Sequence, residues 1–127
     1  MTLNTTISKA SGCNSSTYGY NVGGRTGTDT STVSTVSYFA FPFDSGTSIA
    51  GGSLASTRHL HASCNSTSYG YVMGGLSSGS SISTAILKIE RFAFPFLAGS
   101  ASEVGEIGAK RFLTAATDNV DFKTMFV

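Results

Sequence analysis

Tyr18-Gly19-Tyr20-Asn21-Val22-Gly23-Gly24 returns as Tyr69-Gly70-Tyr71-Val72-Met73-Gly74-Gly75, 51 residues later. Cys13-Asn14-Ser15 returns as Cys64-Asn65-Ser66 at the same spacing. Phe39-Ala40-Phe41-Pro42-Phe43 returns 53 residues on as Phe92-Ala93-Phe94-Pro95-Phe96, and Gly52 and Arg58 return as Gly105 and Arg111. Two residues inserted between the Gly-Gly and Phe-rich blocks account for the change. Blocks kept in one order at near-constant spacing mark a tandem repeat, whose units bury their apolar faces on their neighbours. The first repeat runs over about 11–62, the second over about 63–115, and a divergent tail over 116–127, within a single β domain spanning 1–127.

Each repeat reads as four short strands between Gly/Ser/Thr loops, and the expected fold is all-β. In the second repeat the strands fall near 58–64, 68–73, 84–94 and 102–107. The Gly-Gly pair ends the second strand, where a sharp turn needs positive φ. Residues 101–113 look amphipathic, but Gly105 and Gly108 weaken a helix there, and the matching segment Ser48–Leu60 has no helical character. Phe92, Phe94 and Phe96 share one strand parity, while Leu87 and Ile89 hold the other. Phe39, Phe41 and Phe43 stand likewise against Val36 and Tyr38. A strand apolar on both faces suits a sheet packed on both sides, as a propeller blade is. Phe41 and Phe94 are then expected to pack against an adjacent blade. The alternative is a two-sheet sandwich with a bulge near Tyr38 and Arg91.

Arg58, His59 and Ala62, the block Tyr69–Gly75, the run Ile86–Phe92, then Gly105 and Arg111 together resemble a kelch repeat. That pattern places an Arg before the innermost strand, a Gly-Gly after the second and an aromatic after the third. The chain departs from it by having no Trp, and by a Phe-rich block where a Tyr and later a Trp belong. Ser66–Tyr71, Lys88–Phe96 and Glu103–Ile107 are similar, more narrowly, to degenerate kelch-type arrays in structural proteins of tailed bacteriophages. The resemblance covers about residues 11–116. It implies kelch-like β-propeller blades, about two four-stranded blades per chain, and a virion setting. Residues 3–13 resemble a first innermost strand, and the tail from Ala115 begins as a third repeat that loses its Gly-Gly.

Composition narrows the function classes. Only 12% of the residues are charged and 40% are hydrophobic, with a net charge of +1. Enough apolar surface exists to build a core, unlike a disordered chain. No Lys/Arg cluster extends beyond Lys110-Arg111, so no nucleic-acid surface is indicated. No stretch approaches the roughly 20 apolar residues that span a bilayer. The first residues lack a basic region followed by an apolar run, so no secretory leader is read, and an extracellular fate implies either another route such as lysis or a leader removed before this numbering begins. Cys13 and Cys64 occupy equivalent repeat positions, which favours two small buried residues over a disulfide between them.

Propellers close with roughly 4–8 blades, so two blades call for partners. Three chains would give a six-bladed ring, and contacts that do not close would give a filament. A nucleophile elbow, phosphate loop and Cys/His metal spacing are all lacking. Copper enzymes resembling galactose oxidase use kelch propellers too, but no motif here marks their ligand set, and a fold alone does not carry an activity.

His59-x-His61 is a candidate metal pair, since residues i and i+2 of a strand point one way. The bland reading, an exposed pair beside the next blade, is favoured, and Phe112 and Thr114 replace it one repeat on. Tyr18, Tyr20, Tyr69 and Tyr71 are candidate sugar platforms, against the commoner role of strand Tyr in packing. Three Asn-x-Ser/Thr matches, at Asn4, Asn14 and Asn65, are expected by chance in so Ser/Thr-rich a chain.

The expectation is a non-enzymatic virion protein of a bacteriophage, such as a fibre, spike, knob or decoration, found in the virion or outside cells and aiding host attachment. It would have no cofactor, and its partners would be further copies of itself, preferably as a trimer, other virion proteins and cell-surface glycans. No nucleic-acid or membrane partner is expected. The alternative is a carbohydrate-binding propeller module.

Overall fold

Alternation is clearest at Tyr18–Val22 and Tyr69–Met73, where Tyr18, Tyr20 and Val22, and Tyr69 and Tyr71, share one strand parity. A computed structural model describes residues 2–27 and 31–112 of the chain. The divergent tail 116–127 and the last residues assigned to the second repeat lie outside the described residues. Eleven strands appear among the described residues: β1 (Ile7–Ser8), β2 (Ser11–Asn14), β3 (Tyr18–Val22), β4 (Arg25–Thr26), β5 (Ser31–Thr32), β6 (Thr35–Ala40), β7 (Ile49–Ser53), β8 (Ala62–Asn65), β9 (Tyr69–Met73), β10 (Lys88–Ala93) and β11 (Ser102–Glu106). One 3-10 turn covers Ile82–Thr84. No helix among them is long and apolar enough to cross a membrane.

The molecule is all-β and antiparallel within its sheets. The first four-stranded sheet has the order β2-β3-β6-β7 and the second β8-β9-β10-β11. They are built alike strand for strand, down to a register shift at Thr35–Ser37 that recurs at Ile89–Glu90. The third sheet, β1-β4-β5, is small. Its counterpart beside the second sheet is reduced to two bridges, His59 to Leu76 and Leu76 to Ala85. The twins Lys9 and Leu60 both take left-handed backbone angles, φ 53° and 55°.

The strands differ from the sequence expectation in three places. The innermost strand of the second repeat begins at Ala62 rather than 58, because Leu60 turns the chain out of extended geometry. Strand 84–94 begins only at Lys88, after the 3-10 turn. Phe92–Phe96 is not one extended ladder. The strand stops at Ala93, the Phe94-Pro95 peptide bond is cis, and the rings of Phe92 and Phe96 stack at 4.6 Å. Phe41-Pro42 repeats the turn, with Phe39 and Phe43 stacked at 4.8 Å.

The core lies between the two four-stranded sheets. Tyr20, Val22 and Val36 from the first meet Val72, Phe92 and Phe96 from the second. Burying each large apolar side chain stabilises the fold by about 1.5–3 kcal/mol. Glycines make this close approach possible. A Cβ at Gly70 would lie 2.6 Å from the Phe92 ring, and one at Gly52 would lie 2.4 Å from the Phe96 ring. The expected burial of Phe94 holds in part, since its half-buried ring packs on this core. Phe41 is 46% exposed in the single chain, because no sheet among the described residues covers its side of the first sheet.

Candidate interaction faces

Period-2 placement gives each four-stranded sheet two unlike faces. Tyr18, Tyr20 and Val22 of β3 share the tyrosine face of the first sheet. Phe92 lies over Gly70 on the phenylalanine face of the second. These two faces meet. The Tyr20 ring stacks on Phe94 at 5.3 Å and 17°, and meets Phe92 edge-on at 5.6 Å. The Phe96 backbone N–H donates to the Tyr20 hydroxyl at 3.0 Å. Beside them β2 and β8 are joined through side chains. Ser63 Oγ donates to the Gly12 carbonyl at 2.8 Å, and the Asn14 N–H donates to Asn65 Oδ1 at 3.2 Å.

The outward faces repeat the same parts without a mate. On the first sheet Phe39 lies over Gly19, as Phe92 does over Gly70. A cavity of about 160 Å³ opens between Thr2, Leu3, Phe39 and Phe43. On the second sheet the rings of Tyr69 and Tyr71 stand 6.2 Å apart, and the Arg91 guanidinium sits 4.4 Å above the Tyr69 ring. A cavity of about 350 Å³ is lined by Tyr69, Arg91, Phe92, Phe96, Ser100 and Ser102, among others. Of the four candidate tyrosines, Tyr20 is therefore taken up in the core and Tyr18 packs beside it, while Tyr69 and Tyr71 are half-buried at the surface.

Both candidate metal residues are buried. The His59 ring lies 3.1 Å from Thr32 Oγ1 and 3.0 Å from the Gly79 carbonyl. Burial and the charge of Arg58 push the His61 pKa down to about 4. The strand parity expected to align the two rings does not apply, since β8 begins only after His61. Among the described residues no three His, Cys, Asp or Glu side chains are grouped to hold a metal ion. Cys13 and Cys64 carry thiols rather than a disulfide. Burial, with Cys64 nearby, pushes the Cys13 thiol up to about 12, so it behaves as a small apolar group.

A buried ion pair escaped the sequence reading. Arg58 Nη2 lies 2.8 Å from Glu90 Oε2, both side chains being shielded from solvent. Arg58 Nη1 also donates to the carbonyls of Gly74 and Lys88, and Glu90 Oε1 accepts from the Ser56 N–H. Burial pushes the Glu90 carboxyl upward, and the guanidinium facing it acts in the opposite sense. The sequence held one faint signal, an Arg and a Glu inside strand-like segments of a chain with few charges. In the first repeat Ile7 and Ser37 occupy the corresponding places, and the Ser37 hydroxyl donates to Asn4 Oδ1 instead.

No family model and no curated protein matches the chain.

Proposed function

We propose that the chain is a non-enzymatic structural protein of a tailed-bacteriophage virion, a fibre, spike, knob or decoration. In this reading its two four-stranded sheets are kelch-like propeller blades completed by further copies of the chain, with a closed ring of three as the preferred form. The observation that carries the assembly reading is the junction of two like-built sheets, in which a tyrosine face meets a phenylalanine face and one of each is left open. The virion setting rests on the resemblance of Ser66–Tyr71 and Lys88–Phe96 to bacteriophage arrays. Mass spectrometry of purified particles from the source of the gene tests it. Peptides of this chain that copurify with capsid or tail proteins are expected. Particles of full infectivity without the chain would overturn the reading.

A second reading, carbohydrate recognition, is favoured by one observation. The cavity beside Tyr69 and Arg91 combines an aromatic ring, a guanidinium and the hydroxyl-bearing Ser100 and Ser102. A glycan array with the full chain separates the two. Specific binding lost in Tyr69→Ala would assign host attachment to this cleft, and a blank array leaves assembly as its role.

A further inference from the structure

We propose that the tyrosine face of the second sheet in one copy docks on the phenylalanine face of the first sheet in another, repeating the junction found inside the chain. This deepens the assembly part of the proposed function and does not depend on the virion setting. The internal junction supplies the template. Tyr71 occupies the place of Tyr20, and Phe39, Phe41 and Phe43 occupy those of Phe92, Phe94 and Phe96. The Tyr71 hydroxyl would accept from the Phe43 N–H of the neighbouring copy, as Tyr20 accepts from Phe96.

Three observations fit a second copy as the occupant. The first is exposure: Phe41 is 46% exposed, while its twin Phe94 is half-buried against the core of the junction. The second is the receiving surface. Gly52 leaves room for the Phe96 ring, and its twin Gly105 has only Ile89 Cδ1, at 3.9 Å, near a would-be Cβ. The third is the outer edge. β11 carries Glu103 and Glu106 beside Lys88, and a charged edge turns association away from strand pairing and toward the faces. The match has one tight spot. Val104 stands where Gly51 stands, and a Cβ there lies 3.3 Å from the Phe96 carbonyl, so the copies sit a few tenths of an ångström farther apart.

The N-terminal segment has to yield for this contact. Thr2 takes an N–H bond from Ser48 and donates to Gly46, both at 3.0 Å. Ser53 makes the same pair of bonds to Ala101 and Gly99 across the internal junction. Glu106, the twin of Ser53, would need those Gly46 and Ser48 groups in the neighbouring copy. Residues 2–5 therefore hold the place of the neighbour's outer strand until it arrives.

Sedimentation velocity of the full chain decides the matter. Wild type is expected to form species larger than 13.1 kDa at micromolar concentration. Phe41→Glu and Tyr71→Glu each block one face, and each alone should need at least about tenfold higher concentration to associate, as loss of a central aromatic contact does. Mixed one to one, the two variants should form a dimer and nothing larger, because each supplies the face the other lacks. Deleting residues 2–5 should strengthen wild-type association. A monomeric wild type, a blocked variant that assembles normally, or a folded pair that fails to combine would each overturn the proposal. Arg91→Glu blocks the same face should Tyr71→Glu not fold. A failure here leaves the particle test of the virion setting untouched, and absence from particles leaves this docking standing.

Discussion

Tyr20 and Phe96 are 76 residues apart in the chain and are joined by one buried hydrogen bond, from the Phe96 N–H to the Tyr20 hydroxyl. Tyr20→Phe keeps the ring and leaves that N–H without its acceptor. Such a loss costs about 1–3 kcal/mol. Tyr20→Ala also removes the ring and should cost about 3–5 kcal/mol. Urea unfolding of both variants checks this, and equal midpoints for wild type and Tyr20→Phe would show that the bond contributes nothing.

A buried and an exposed phenylalanine of the two Phe-rich blocks should behave unequally. Phe92 is 3% exposed in the junction and Phe41 is at the surface. Phe92→Ala should cost about 3–5 kcal/mol. At concentrations where the chain is monomeric, Phe41→Ala should change stability by less than about 0.5 kcal/mol. Thermal melts of both at low micromolar concentration provide the comparison.

Glycine twins give a matching contrast. Gly52→Ala drives a methyl group to 2.4 Å from the Phe96 ring, and forcing the sheets apart should cost about 1–3 kcal/mol. Gly105→Ala meets only Ile89 Cδ1 at 3.9 Å and should be tolerated by the monomer. Denaturation midpoints that fall equally for both would contradict the packing described.

Removing one partner of the Arg58–Glu90 pair strands a charge in the core. Glu90→Ala or Arg58→Ala should cost about 3–5 kcal/mol, whereas Arg58→Met with Glu90→Leu should cost much less. A double-mutant cycle by chemical unfolding measures the difference.

Acid should act through His61. Its folded pKa is about 4, below the ordinary 6.5, so the unfolded chain takes up the proton first. The stabilisation is complete above pH 6.5, falls as the pH drops toward 4, and changes no further below that. Its full size is about 3 kcal/mol. His61→Gln should flatten the melting temperature between pH 6.5 and 4 relative to wild type, and parallel profiles would sink the assignment.

Much of the architecture was legible because strand alternation and Gly-Gly turns act over a few residues. Tyr69–Met73 and Ser102–Glu106 fall close to their predicted positions. The Phe-rich block misled because alternation continues through Phe94-Pro95 although the strand has ended. His59 and His61 misled because the left-handed turn at Leu60 leaves no trace in hydrophobic period. Glu90 lies 32 residues from Arg58, and no local pattern announces a partner at that distance. Phe41 could not be placed by analogy with Phe94, since what covers each ring is a neighbouring sheet and not its own sequence.

The two four-stranded sheets of this chain are built with their faces in the same sense, and that polarity bears on how such a gene can change. Recombination between equivalent stretches, spaced 51 or 53 residues apart, would add or delete one whole sheet. The altered protein would still end in one phenylalanine face and one tyrosine face, whatever its length.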